Sequence, residues 1–398
     1  MYAFFKDDDF DFELENLIGG AAVGVCDLGE ALATAARIKN GDFDSWVDEW
    51  LAMAERTGLI AEACEDAGHV VSAREAHLRA SAYFFAASVF ILGSRKAKDA
   101  TGVWELHRQA FERAAGLTPG WERVAIPYEG THLDGYLFRA DDARRPLVIL
   151  NNGSDGPVTF MLNQVEGALE RGYHALTFDG PGEGEALYRQ RLYFRHDWET
   201  VITPVVDFAL ERPEVDPDKV ALTGISQGGY WVLRAAAFEH RLAAVVADPG
   251  VMRVYDALES HIPHRQVKQL EAGEKEKFDS SMRLGERFSK KTRYTMAFRF
   301  TPYGFDSPYD LYRAARAYDL ADVVGDIRCP TLVLDPEREA FWPGQSREVY
   351  EALTTERKDI VSFSDAEGAG AHCEPLSVPL RNQRAFDWLD DVLEPPAA

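Results

Sequence analysis

From residue 147 onward the chain repeats one pattern: a short, solidly apolar run, then a stretch with helical spacing. The runs are LVILNNG (147–153), HALTFDGPG (174–182), KVALTGIS (219–226), AAVVADPG (243–250), CPTLVLDP (329–336) and DIVSF (359–363). A strand with one face in water alternates apolar and polar residues, whereas one covered on both faces is apolar throughout. Runs of the second kind, separated by helical segments near 163–172, 198–211, 228–238 and 382–393, predict a mostly parallel sheet flanked by helices. Just before them, WERVAIPYEG and HLDGYLFRA meet at a Gly-containing turn and predict a hairpin.

The α/β unit is expected over 119–251 and 326–398, interrupted by a helical insertion at 252–325. That insertion is rich in charge and in aromatics: Tyr255, Phe278, Phe288, Tyr294, Phe298, Phe300, Tyr303, Phe305 and Tyr309. It leaves the sheet at the strand ends where open α/β folds bind ligands, so a lid is expected rather than a decorative surface insertion.

Residues 1–118 read as a separate helical domain. Leu28, Leu32, Ala35 and Ala36 recur at helical spacing, as do Trp46, Trp50, Met53, Leu59 and Ala63. Further helices are expected over about 71–92 and 103–114. Gly41, Gly58, Gly68 and Gly93 lie where helices should stop. Tyr83, Phe84, Phe85 and Phe90 fit a helix–helix core better than a wall over a substrate pocket. This apolar segment cannot stand alone in water. It is expected to pack on the α/β unit and, with 252–325, to roof the site.

Composition narrows the partners. Asp and Glu number 66 against 43 Lys and Arg, a formal net charge of −23. Phosphate neutralisation needs a basic surface, so nucleic acid is not expected as a partner, nor is an anionic membrane. The acidic start MYAFFKDDDFDFELE has no apolar core of a secretory signal, and the apolar stretch Ala80–Leu92 is short for a membrane span. The four cysteines, Cys26, Cys64, Cys329 and Cys373, form no CxxC pair, which leaves a zinc or redox site without support. A cytoplasmic, reducing location is expected.

The sharpest chemical signal is Gly224-Ile225-Ser226-Gln227-Gly228-Gly229, placed after a strand and before a helix. That context suits a strained turn presenting a nucleophilic serine, with glycines where side chains would collide. The following helix N-terminus offers backbone N–H groups to an oxyanion, with Gln227 as one donor. The alternative is a Gly-rich turn whose serine only caps the helix. A serine hydroxyl needs a base. Only His372 among the ten histidines lies beyond residue 264, in the Gly-rich loop GAGAHC after DIVSF. The acid should follow PTLVL, where Asp335, Glu337 and Glu339 compete. Loops of this type often place the acid four residues before a proline, and that spacing selects Glu339 before Pro343. Asp248, after AAVVA, is a further alternative. A second oxyanion donor is expected at Gly153, or Ser154, in the loop NNGSDG. The glycines of DGPGEGE (179–185) do not match GxxxxGK[ST], so they read as a turn on the pocket rim rather than a phosphate site.

The combination of GISQGG, FDGPGEGE, FRHDWE (194–199), FWPGQS (341–346) and GAGAHC resembles the α/β-hydrolase superfamily. More narrowly, it resembles the branch with an N-terminal helical domain that includes 2,6-dihydroxypseudooxynicotine hydrolase and the fungal polyketide-shortening hydrolases of melanin synthesis. The resemblance implies a Ser226–His372–acid triad, no cofactor or metal, and often a homodimer. It also implies a small hydrophobic or aromatic substrate, cleaved at a carbon–carbon bond beside a ketone or at an ester. Esterase, peptidase and acyltransferase activities are compatible with the same triad, and a non-catalytic receptor is a further alternative. One departure stands out: Glu339 occupies a position where many relatives carry Asp.

Overall fold

The computed structural model describes residues 3–394; positions 1–2 and 395–398 of the expected terminal segments lie outside the described residues. The chain opens with α1 (Asp8–Gly19), α2 (Leu28–Ala35), α3 (Phe43–Asp66), α4 (Val70–Val89) and α5 (Ala100–Gly116). The strands are β1 (Trp121–Tyr128), β2 (Thr131–Phe138), β3 (Arg145–Asn151), β4 (His174–Phe178), β5 (Val215–Ile225), β6 (Ala244–Asp248), β7 (Thr331–Pro336) and β8 (Lys358–Phe363). Between them run α6 (Val158–Leu169), α7 (Gly184–Tyr188), α8 (Glu199–Leu210) and α9 (Gly228–Ala236). The stretch from β6 to β7 holds α10 (Tyr255–Glu259), α11 (His264–Glu271), α12 (Lys275–Phe288), α13 (Lys290–Tyr303) and α14 (Pro308–Ala315). Two more helices complete the chain, α15 (Gln345–Ala352) and α16 (Val378–Leu393).

The strands form one sheet in the order β1-β2-β4-β3-β5-β6-β7-β8. The β1–β2 and β2–β4 pairings are antiparallel, and the rest are parallel. Val148 and Leu150 of β3 enter the core on one face, and Leu147 and Ile149 enter the other. All four are fully buried. That two-sided burial is the physical reason for the solidly apolar runs. The chain passes from β3 to β4 on one side and then crosses to β5 on the other side of β3, so the loops after β3 and β5 flank a crevice at the carboxyl end of the sheet.

The N-terminal helices share a continuous core with one face of the sheet. Trp46 and Trp50 are fully buried, and the Trp46 indole N–H donates to Ala86 O at 2.7 Å. Tyr83, Phe84 and Phe90 lie in the same core, as the helix–helix reading has it. By length and composition the segment Val70–Gly93 could cross a membrane; 72% of its most apolar window is buried inside this fold. Arg108 of α5 is buried at 3% exposure between Asp134 of β2 and Asp179 after β4, its Nη1 lying 3.1 Å from Asp179 Oδ2. Asp179 Oδ2 also accepts the Glu185 N–H at 3.0 Å. The acidic DGPGEGE turn thus ties α5 to the sheet, which accounts for its charge better than any phosphate role would.

Two expectations about helix ends fail. Gly58 does not stop a helix: α3 runs through it from Phe43 to Asp66. A mid-helix glycine is about 1 kcal/mol less favourable than alanine. Burial of Met53, Ala54, Thr57 and Ala61 on one side of α3 outweighs that. In turn, α6 begins at Val158 instead of 163, because Val158, Thr159, Met161 and Leu162 are themselves core residues.

Candidate active site

The turn carrying Ser226 is built by close approaches. A Cβ on Gly228 would lie 2.5 Å from Asn152 O, and one on Gly229 only 1.9 Å from Pro249 O. No side chain fits at either place, so the loops after β3 and β6 can press directly onto the start of α9. Ser226 sits at φ +58°, in the left-handed region that non-glycine residues seldom adopt. Its own N–H is held by Asp248 O at 2.6 Å. The hydroxyl is thereby aimed away from the sheet, toward the loop after β8.

His372 meets it there. His372 Nε2 lies 2.9 Å from Ser226 Oγ, and His372 Nδ1 lies 2.6 Å from Glu339 Oε2. An ionised carboxylate only accepts, so Nδ1 carries the proton and donates to Glu339, leaving Nε2 to accept from the Ser226 hydroxyl. The other Glu339 oxygen accepts the Phe341 N–H at 2.8 Å and the Trp342 N–H at 3.1 Å. Burial works against the Glu339 charge. His372 and the two backbone donors more than offset it, and the carboxyl is held below its usual range. Chemically, such a chain can move a proton from the serine onto the imidazole and stabilise the cation that forms.

The competing carboxylates are elsewhere. Asp335 Oδ2 accepts from Ser362 Oγ at 3.2 Å and pairs with Arg347 at 3.1 Å. Glu337 accepts the Asp365 N–H at 2.8 Å. Asp248 lies behind the site without a hydrogen bond to His372, beside Glu374 and Arg381.

The expected oxyanion loop is in place but differs in detail. Gly153 packs against the serine: a Cβ there would come within 2.8 Å of Ser226 Cβ. Its N–H, however, donates to Asn152 Oδ1 at 2.8 Å. The Ser154 and Gln227 N–H groups have no hydrogen-bond acceptor among the described residues. Asn152 takes up the glycine amide because its side chain folds back over the loop, with Nδ2 reaching Gly156 O.

Three features of the site escaped the sequence reading. The first is α1, which brings Phe12 to 6.2 Å from the His372 ring and 6.0 Å from Phe341, centroid to centroid. Asp7 as N-cap, accepting from the Asp9 and Phe10 N–H groups, and Phe10, Leu14 and Leu17 at helical spacing were the available signal. The second is the pair of contacts made there by α13, within the insertion expected as a lid: the Tyr303 hydroxyl donates to Gln227 Oε1 at 3.4 Å and Arg299 reaches Asp155 at 2.9 Å. The third is the pairing of Asp248 with Glu374, 3% and 0% exposed, with no hydrogen-bond donor to their side-chain oxygens among the described residues. Burial raises the Asp248 carboxyl, with Arg381 and His372 pulling it back. Glu374 is raised well above its usual value by burial and then by Asp248. A proton on Glu374 supplies the donor that two bare carboxylates would lack. Among the described residues, no group of three or more His, Cys, Asp or Glu side chains is placed to hold a metal ion.

This sheet, with its serine turn after β5 and histidine loop after β8, defines an α/β hydrolase. Residues 147–381 match the alpha/beta hydrolase family, and the chain belongs to that family. It is 31% identical to the hydrolyase poxO of Penicillium oxalicum over 99% of both chains, and 30% identical to the hydrolase LUC6 of a Fusarium species over 98% of both. Among solved structures it shares its fold with 2,6-dihydroxy-pseudo-oxynicotine hydrolase, at a TM-score of 0.75 and 22% identity, covering 94% of this chain and 95% of that one. The resemblance read from the motifs therefore holds for the fold and for the N-terminal helical domain.

Proposed function

We propose that this α/β hydrolase is a serine hydrolase that needs no cofactor and cleaves a carbon–carbon bond beside a ketone in a hydrophobic or aromatic small molecule. The observation carrying the proposal is the hydrogen-bonded chain Ser226–His372–Glu339, at 2.9 and 2.6 Å. Ser226 Oγ attacks the ketone carbon while His372 Nε2 takes its proton. The free amides of Ser154 and Gln227, in place of Gly153, receive the oxyanion. Preorganised donors of this kind are worth about 3–4 kcal/mol each. Collapse of the tetrahedral adduct breaks the carbon–carbon bond, and the imidazolium protonates the departing carbanion or enolate. Water, deprotonated by His372, then attacks the ester on Ser226 and releases a carboxylic acid.

The aromatic surroundings support a hydrophobic substrate: Phe12, Phe341 and Trp342 surround the imidazole, and Tyr303 reaches the elbow from α13. The insertion would then act as a lid. The same chemistry with an alkoxide leaving group would make the protein an esterase, and that is the second reading. 1-Phenylbutane-1,3-dione in H2(18)O separates the two. The first reading expects a ketone and a carboxylic acid carrying label from the solvent. Hydrolysis of phenyl butanoate with the diketone untouched would favour the esterase.

A further inference from the structure

One face of α13 grips both segments that carry the oxyanion amides. Arg299 and Tyr303 are four residues apart, so their side chains leave the same side of the helix. Arg299 Nη1 donates to Asp155 Oδ2 at 2.9 Å and to Ser154 Oγ at 3.4 Å, on the loop after β3. The Tyr303 hydroxyl donates to Gln227 Oε1 at 3.4 Å, on the turn after β5. Inside the β3 loop, the Asn152 side chain bridges the Gly153 N–H and Gly156 O. Among the described residues, Arg299 makes the one side-chain tie that reaches Ser154 and Asp155 from another element. The helix is itself firmly seated. Tyr294 packs on Phe43 and Phe90 of the N-terminal helical domain at 5.0 and 5.3 Å between centroids, Lys291 pairs with Asp9 at 2.6 Å, and Pro302 O accepts the Phe194 N–H at 2.8 Å.

We propose that Arg299 is a positioning residue: through Asp155 and the Ser154 hydroxyl it holds the Ser154 amide where the oxyanion forms. The inference rests on the reading of Ser226 as nucleophile, but not on whether the bond cleaved is carbon–carbon or ester. Oxyanion donors act by being aimed before charge develops, so whatever fixes their backbone contributes to the rate. Asp155 is the next residue along the chain from Ser154, and anchoring its carboxylate limits how far the Ser154 amide can turn. The side chains of Arg299 and Asp155 are 30% and 36% exposed, and a pair in that setting adds little to stability. Its consequence is therefore geometric, and the fold should survive its loss. Because α13 belongs to the insertion and leans on the helical domain, the Ser154 amide is set from outside the α/β unit.

The test is a double-mutant cycle on Arg299→Gln and Asp155→Ala, with kcat and KM read separately on phenyl butanoate. Calorimetry gives the dissociation constants of 1,1,1-trifluoro-4-phenylbutan-2-one, which adds to a nucleophilic serine as an oxyanion, and of 4-phenylbutan-2-one, which binds without adding. Deleting an oxyanion donor costs about 10^2- to 10^3-fold in kcat, and loosening its loop should cost less, about tenfold. Each single variant should lose about tenfold in kcat with KM within about twofold, and the double variant should lose no more than either, since both changes break one tie. Arg299→Lys, which keeps the charge but not the planar fork, should recover part of the loss. The trifluoromethyl ketone should bind about tenfold more weakly to Arg299→Gln while the methyl ketone is unaffected. Their ratio does not depend on how much of the sample is folded. An unchanged ratio in Arg299→Gln would overturn the assignment. So would a normal or raised kcat in Asp155→Ala beside a lowered one in Arg299→Gln, because Arg299 would then act on the oxyanion by its own charge. Fluorophosphonate labelling of the same samples keeps the two claims apart. A labelled Ser226 with an unchanged ratio removes the role of Arg299 alone, and an unlabelled Ser226 in the wild type removes the nucleophile reading and this inference with it.

Discussion

Replacing Ser226 by alanine is expected to lower kcat by about 10^5- to 10^6-fold, because no other group can form the covalent bond on which turnover depends. The fold should stay intact. Among the described residues the hydroxyl makes a single hydrogen bond, to His372 Nε2, and an alanine there would keep the strained φ of +58° that Ser226 already has. A stability change below about 0.5 kcal/mol follows, measurable as a nearly unchanged Tm. Turnover of a good substrate by Ser226→Ala at even a few per cent of the wild-type rate would contradict the role given to this serine.

The second large effect is an ordering among acids. Glu339→Gln should lower kcat by about 10^4-fold, close to 5 kcal/mol of transition-state stabilisation. The amide keeps the shape of the side chain but removes the charge that balances the imidazolium. Its NH2 can also face Nδ1 and impose the wrong tautomer. Asp335→Asn should stay within about threefold of the wild type, since that carboxylate is directed at Ser362 and Arg347 and has no contact with His372. Asp248→Asn should fall between them. Asp248 is buried beside Glu374 and interacts with His372 only through space. A greater loss at Asp335 or Asp248 than at Glu339 would move the acid there. Steady-state kinetics on one substrate for the three variants reads the order directly.

What was legible in the sequence was local. The turn at Ser226 is written in consecutive residues, since a Cβ on Gly228 or Gly229 would come within 2.5 or 1.9 Å of neighbouring backbone oxygens and neither residue can be larger. The spacing from Glu339 to Pro343 likewise belongs to one loop, and the glycines before His372 belong to another. Contacts between distant segments were not legible. The Gly153 amide looks free in the sequence, yet the preceding side chain, Asn152, folds back to claim it. That α1 carries Phe12 to His372 was not legible either, because helical spacing shows which face is apolar but not what covers it. Gly58 failed as a helix stop for the related reason that tertiary burial of α3 overrides a local preference of about 1 kcal/mol. Arg108 explains the acidic residues of DGPGEGE, but only after α5 and the β4 turn have been brought together.

The role of Ser226 as nucleophile, activated by His372, is open to a direct measurement: treating the intact protein with a fluorophosphonate and mapping the adduct by peptide mass spectrometry. One stoichiometric adduct is expected on Ser226, absent in Ser226→Ala and formed at least about a hundredfold more slowly in His372→Ala. An active protein whose Ser226 stays unmodified, or whose activity is lost through an adduct on a different residue, would contradict it.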